Sequence, residues 1–507
     1  MHRLGANLSA IFPQAAAYCL TQKTDWFYRM LAQGFVFREE FGAPPANRAK
    51  ISAFRARPDW RVLGRVFREH PLEEFRLLER VFHIQENQTT VRRELLAGLT
   101  TFMTMSYVVV VNPRILADAG MPVDGVLFAT CISAALATLI MGIWANYPIA
   151  LAPGMSLNAY FTYSVVVGRG VPWQTALGVV FLSGVLFLLL TLTKIREQII
   201  NGIPDCLKHG TAGGIGLFIA FIGLRNAQIV VANKATFVGM GKIADPQVLL
   251  AVFGVVLVAI LMARKVGSAI LIGIVLITLA GIPLGQAHWP QHFFSFPHAS
   301  GTFLKLNLRA ATSLGLGELI FVFFFVDLFD NVGTLVGVCE EGGFLREGKL
   351  PRASRALLSD AFGTMIGALT GTSTVTSYIE SAAGVAAGAR TGLGNLLIAA
   401  LFLVAMFCAP LVAAIPAYAT APALILVGAL MCGSLARVKW EDFSSAFPAF
   451  ITLVATPLTF SIATGLSLGL LSFTFIKVGT GKYKEISPLI WVLSVLFLLR
   501  YIFLGRE

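Results

Sequence analysis

The strongest constraint on this chain is the spacing of its apolar segments. After Glu94 they follow one another with only short polar breaks, and most have the roughly 17 to 25 residues that a helix needs to cross about 30 Å of hydrocarbon. In lipid every backbone N–H and C=O must find an internal partner, so only helices and closed barrels can span. A barrel would show alternating segments of about ten residues, and none are visible. Of 507 residues 56% are hydrophobic and 13% charged, and the mean hydropathy is +0.76, outside the balance of a soluble domain. The expected fold is an all-α polytopic membrane protein.

The spans expected from the sequence are 95–117, 123–146, a short broken element at 148–160, 173–194, 206–225, 246–264 and 267–285. They continue as 315–337, 353–370, a second short broken element at 372–387, 393–416, 420–436, 446–476 as two pieces about Thr464–Gly465, and 487–504. About fourteen elements place both ends on one side.

The formal charge is +12, and its placement decides its meaning. Arg and Lys gather in residues 1–94 and in loops such as Arg346/Lys349/Arg352/Arg355 and Arg437/Lys439. That is the positive-inside pattern rather than a nucleic-acid surface. With Arg500 and Arg506 in the tail, it puts both termini in the cytoplasm of a multi-pass plasma (inner) membrane protein, with the lipid bilayer as partner and no nucleic acid.

Residues 1–76 form an N-terminal extension without signal-peptide architecture. Within 60–82 apolar residues recur at helical spacing among Arg and Glu, as in a helix lying on the membrane surface; a poorly ordered extension is the alternative. The six cysteines have no CxxC spacing and read as small core residues. His288, His292 and His298 lie in a polar loop and read as solvent-exposed. No paired His/Cys metal spacing, nucleophile elbow or phosphate loop is present, so the chain is expected to be neither an enzyme nor a carrier of a metal or cofactor.

The list divides into halves of seven, 95–285 and 315–504, and their third elements are both anomalous. The first reads YPIALAPGMSLNAYF from Tyr147, with Pro148, Pro153 and Gly154; the second reads GTSTVTSYIESAAG from Gly371. The elements before them also correspond, ISAALATLIMG from Ile132 against LSDAFGTMIGALTG from Leu358. Seven spans per half is odd, so the second half must be inserted upside down. That is the pattern of an inverted-repeat secondary transporter, whose site lies where broken elements meet near the midplane.

Into that region the sequence sends acids. The stretch GELIFVFFFVDLFDNVGT from Gly317 carries Asp327 and Asp330 into an apolar span, where one ionised Asp costs roughly 2.5 to 3.5 kcal/mol on the mildest scales. Glu380 and Asn158 come from the two broken elements. Acids and an amide without Lys or Arg suit a neutral or weakly basic ligand rich in N–H donors.

Each residue has a plainer reading. Asp327 and Asp330 share a helical face, but one could cap or pair with a neighbouring helix. Glu380, flanked by Tyr378 and Ser381, could tether two bundles, and Asn158 could satisfy its own broken backbone. Glu318 reads as interfacial, and Asp360 as a packing or proton-path residue.

Four stretches carry a family resemblance: NQTTVRRELLAGLTTFMTMSYVVVVNPRILADAGMP from Asn87, ANYPIALAPGMSLNAYF from Ala145, FVDLFDNVGTLVGV from Phe325 and TSYIESAAGVAAGARTGL from Thr376. In order and content they resemble the AzgA-type purine base permeases of the nucleobase-ascorbate transporter superfamily, over about Leu77 to the C-terminus.

The resemblance implies fourteen elements in two inverted repeats. A core domain (about 95–194 and 315–416) packs against a gate domain (about 195–285 and 417–504), with short strands in the third and tenth elements and substrate between the domains. It matches the family's acid on the eighth helix to Asp330, its tenth-element glutamate to Glu380 and its third-element asparagine to Asn158, while leaving Asp327 open. It also implies import of a purine nucleobase with protons; desolvation and acidic neighbours make a carboxylate among Asp330, Glu380 and Asp327 the expected proton acceptor. Such import draws on about 2.3 kcal/mol per charge per 100 mV. GMSLNAYF is similar to the guanine/hypoxanthine-preferring members. An adenine-preferring permease, and a channel or anion exchanger of related fold, are the alternatives. A homodimer is compatible with this reading.

Overall fold

The computed structural model describes residues 73–193, 204–290, 292–296, 301–313, 316–344 and 350–503. The expectation for the extension therefore falls almost wholly outside the described residues, as do His298, Arg346, Lys349 and Arg506. Of the proposed surface helix only α1 (Glu73–Phe82) is described; Phe82 is buried beside Ile84 and Leu393.

The first half follows the expected spans closely. Thr90 caps α2 (Val91–Met105) by accepting from the Arg93 N–H at 3.3 Å, and α3 (Val108–Ala117) completes the crossing after a two-residue break. The next span is α4 (Val123–Ile140), prolonged by a wide π turn over Met141–Ala145 that stops at Asn146, a left-handed residue with φ 52°. The first broken element is β1 (Leu151–Pro153), α5 (Met155–Ala159) and a π segment, Tyr160–Val167. Two spans follow, α6 (Trp173–Leu192) and α7 (Asp205–Asn226).

Between α7 and the next span lies a hairpin absent from the sequence reading, β2 (Val230–Asn233) and β3 (Phe237–Met240), paired from Val230↔Met240 to Asn233↔Phe237. Four-residue strands whose side chains are largely exposed lack the buried face that makes alternation visible. The half closes with α8 (Pro246–Ala263) and α9 (Ala269–Gly281).

The second half opens, after the single turn α10 (Leu308–Ala311), with α11 (Gly317–Glu341), 25 residues long, and α12 (Ala353–Thr370). Its broken element is β4 (Val375–Ser377) and α13 (Ser381–Ala386). Then come α14 (Gly394–Ala405), α15 (Ala409–Ala414), α16 (Ala417–Cys432), α17 (Phe443–Leu458), α18 (Ile462–Gly479) and α19 (Pro488–Phe503).

The break in 446–476 lies at Thr459–Ser461, not at Thr464–Gly465. Ser461 caps α18 by accepting from the Thr464 N–H at 3.2 Å. Gly465 marks close packing instead, since a side chain there would collide with Thr456.

Among the described residues nine helices are long and apolar enough to cross a membrane, and three shorter apolar helices join them. Two packing groups are evident. In one group α6 packs on α12, α12 on α4 and α4 on α14, with α3 on α4, the first π segment on α6 and α3, and α2 against α13 and α14; α7, α16, α17 and α18 form a second group, with α8 against α9 and α16. Lipid gives apolar side chains no reason to seek each other, so helices hold by close backbone approach at small residues. A Cβ on Gly98 of α2 would stand 2.5 Å from the Gly394 carbonyl oxygen of α14.

Candidate functional site

The two broken elements find their backbone partners in each other. The strands β1 and β4 pair antiparallel, Leu151↔Ser377, Ala152↔Thr376 and Pro153↔Val375. Bonds from Gly154 N–H to the Thr374 carbonyl and from Tyr378 N–H to the Ala150 carbonyl, both 3.0 Å, extend the ladder. All six strand residues are buried. Unpaired backbone at this depth would cost several kcal/mol per group, so each broken element is completed by its counterpart from the other half.

Around this miniature sheet the four candidates fall into two environments. Asp330, half-buried on α11, accepts from the Ser156 hydroxyl at 3.2 Å. Glu380, half-buried just before α13, accepts from the Tyr107 hydroxyl at 2.6 Å. The helices that carry or follow these acids, α11 and α13, pack on each other. The Tyr378 hydroxyl donates to the Pro153 carbonyl at 2.5 Å.

Asp327 and Asn158 are instead sealed. Asp327 is 1% exposed and accepts from Asn331 Nδ2 and from the Thr364 hydroxyl, each at 3.2 Å. The same Asn331 amide group donates to Asp360, and its Oδ1 accepts from the Ser377 N–H at 2.9 Å. Asn158, wholly buried, donates to Asn112 Oδ1 at 2.5 Å and accepts from the Ser373 hydroxyl. Asn112 then donates to Thr130 at 2.7 Å and Thr372 at 2.9 Å. Asp327 thus pairs with a neighbouring helix through Thr364, as its plainer reading has it, whereas Asn158 bonds the side chains of Asn112 and Ser373 rather than its own broken backbone.

Three residues that hold the site were not singled out in the sequence: Tyr107, Asn331 and Thr364. Asn331 had a signal, an amide four residues beyond Asp327 on the same helix. Tyr107 had none, because its partner is 273 positions away. Glu318 faces Arg169 at 3.6 Å, each side chain 20% exposed. Among the described residues no Lys or Arg forms an ion pair with Asp327, Asp330, Asp360 or Glu380. The hydroxyls of Thr374, Thr376 and Ser377 are buried without a protein partner, so the strand pair presents polar groups as well as acids. His288 and His292 line a separate cavity of about 600 Å³ with Arg114 and Trp289, and it includes none of the four candidates.

Comparison with known proteins places this arrangement. Residues 92–468 match the family described as Permease family, Xan_ur_permease. The guanine/hypoxanthine permease PbuO of Bacillus subtilis is 46% identical over 83% of this chain and 99% of its own length. The adenine permease AdeP of Escherichia coli is 44% identical over 85% of this chain and 97% of its own. Among solved structures, the transmembrane domain of the cyanobacterial bicarbonate transporter BicA superposes with a TM-score of 0.57 at 18% identity, covering 74% of this chain and 97% of that one. This likeness shows the fold, the inverted-repeat architecture expected from the two halves.

Proposed function

The chain belongs to the Xan_ur_permease family, a multi-pass membrane transporter and not an enzyme, and from that premise we propose that it imports purine nucleobases together with protons by alternating access. The observation that carries the reading is the pair Asp330 and Glu380, half-buried carboxylates from α11 and from just before α13, elements that pack on each other, with no cation paired to either among the described residues. A purine presents N–H donors along one edge and ring-nitrogen or carbonyl acceptors along another. Carboxylates take the donors, and the hydroxyls of Thr374, Thr376 and Ser377 meet the acceptors. A neutral base brings no charge to balance the acids, so uptake of a proton by Asp330 or Glu380 accompanies it. Net entry of that proton over the cycle draws on the membrane potential.

In this reading Asn158 and Asp327 act on the site through the elements they hold. The core spans about 95–194 and 315–416, the gate about 195–285 and 417–504, with the base between them and both termini in the cytoplasm. Anion exchange is disfavoured by an acidic site.

Guanine and hypoxanthine are proposed ahead of adenine, on the strength of GMSLNAYF. The second reading, adenine preference, stands beside it because identity to PbuO and to AdeP is nearly equal. Uptake of labelled hypoxanthine challenged by guanine, adenine, xanthine and uracil separates them. Dominance of adenine would reverse the order, and equal inhibition by uracil would remove the purine assignment. Asp330→Asn at wild-type uptake, still sensitive to an uncoupler, would take Asp330 out of the proton role. Glu380→Gln that binds but no longer accumulates would place coupling at Glu380.

A further inference from the structure

One seam between the two packing groups is built from adjacent residues of the first π segment. The Tyr163 hydroxyl donates to Asp118 Oδ2 at 2.6 Å, just beyond the end of α3, and accepts from Asn226 Nδ2 at 3.3 Å, the last residue of α7. Its neighbour Ser164 donates to the carbonyl of Phe460, in the turn between α17 and α18. Phe460 holds a left-handed backbone, φ 50°, uncommon for a bulky residue. Its ring packs edge-on against Phe218 and Phe221 of α7, centroids 5.7 and 5.4 Å away. Tyr163 and Ser164 are each 6% exposed. A π segment, a form that recurs at functional positions, thus reaches two elements of the other group, while Tyr163 stays anchored to its own through Asp118.

We propose that Tyr163 and Ser164 form a latch that shuts the cleft between the two helix groups at the end where α3 and α7 finish, with Tyr163 the positioning residue that sets how often this end opens. The inference rests on the alternating-access reading above. Each bond has a different fate on opening. Tyr163–Asp118 lies within one group and persists, whereas Tyr163–Asn226 and Ser164–Phe460 cross between groups and must break. The hydroxyl therefore stays oriented by Asp118 through the open state, ready to re-form the crossing bond.

The test uses the full chain in membrane vesicles, with Ala227→Cys as a reporter because Ala227 is wholly buried beside Asn226. Alkylation by a maleimide applied to both faces is compared in the reporter alone and with Tyr163→Phe, Asn226→Leu or both. Loss of one crossing hydrogen bond is expected to speed alkylation about 2- to 10-fold. The double variant should be no faster than the faster single, since both remove the same bond. Asn226→Leu leaves Tyr163–Asp118 intact, so the two singles share no folding defect. Unchanged rates in both singles, or acceleration by Tyr163→Phe alone, would overturn the latch. Purine uptake by the unsubstituted protein in the same vesicles is read separately: its absence would sink the transport reading and leave the alkylation result standing.

Discussion

Tyr107 and Glu380 are joined by a 2.6 Å hydrogen bond from the phenol to the carboxylate across 273 positions of sequence. The bond fixes which way the second broken element aims its acid. Tyr107 sits in the two-residue break between α2 and α3, so the opening span of one half orients the candidate acid of the other. With Tyr107→Phe the fold should persist and Glu380 should lose its preferred rotamer. We expect KM for hypoxanthine to rise about fivefold, the worth of one ordinary hydrogen bond, while Asn112→Ala, acting through Asn158, loosens the strands themselves. Concentration-dependent uptake in whole cells reads the first effect; an unchanged KM would leave Tyr107 without a positioning role.

Asn331 is expected to matter to stability more than any of the acids it serves. Its amide donates to Asp327 and Asp360 and accepts from the Ser377 N–H. Asn331→Leu removes this donor from Asp360 and this acceptor from a strand N–H and leaves Asp327 with Thr364 alone, at about 1 to 3 kcal/mol for each group left unsatisfied. Thermal unfolding in detergent should show a clear loss for this variant and little change for Asp330→Asn, whose half-buried side chain has one hydroxyl partner.

Gly98→Ala tests backbone packing against helix propensity. Alanine gains up to about 1 kcal/mol within a helix, yet its Cβ would stand 2.5 Å from the Gly394 carbonyl oxygen, a backbone atom with no rotamer to yield. Overpacking of this kind costs about 1 to 3 kcal/mol. The expected outcome is lower thermal stability; a stabilised protein would mean that α2 and α14 can separate freely.

Lys477 near the end of α18 gives an asymmetric pair. Its side chain is 4% exposed and bonds Glu485 at 2.6 Å, while Glu485 is 54% exposed. Removing this acid leaves the buried cation with Asp442 alone, at 4.0 Å, so Glu485→Gln should cost more than Lys477→Met, whose loss leaves two solvated carboxylates. Paired denaturation curves would show the order.

The neighbouring Asp442 caps α17, and hydrogen bonds from Ser444 and Ser445 hold its carboxyl down to about 2. A depressed carboxyl stabilises fully above its unfolded value near 3.9 and loses that contribution as pH falls through about 2. Asp442→Ala should therefore cost about 0.5 to 2 kcal/mol at neutral pH, with the difference from wild type closing in strong acid. A difference that persists at pH 2 would assign the effect to something other than this cap.

Apolar run length determined the spans, because lipid enforces helices of fixed length wherever backbone is buried in it. The same pressure made Asp327, Asp330 and Glu380 conspicuous, since acids stand out against an apolar background, and the matching broken elements at Tyr147 and Gly371 disclosed the two halves. The hairpin at 230–240 left no periodicity to read, and the turn at Thr459–Ser461 was hidden by the more visible Gly465.

Tertiary structure alone decided how the acids divide. Asp327 and Asp330 are three residues apart and indistinguishable as letters; a small rotation around α11 puts one against Asn331 and Thr364 and leaves the other half-open beside Ser156. It likewise decided that β1 and β4 pair with each other, that Tyr107 aims Glu380, and that Tyr163 meets Asn226. Hydrogen bonds between residues 63 to 273 positions apart have no local signature. They depend on where the chain returns, and the sequence by itself determines the elements and the chemistry they carry into the membrane.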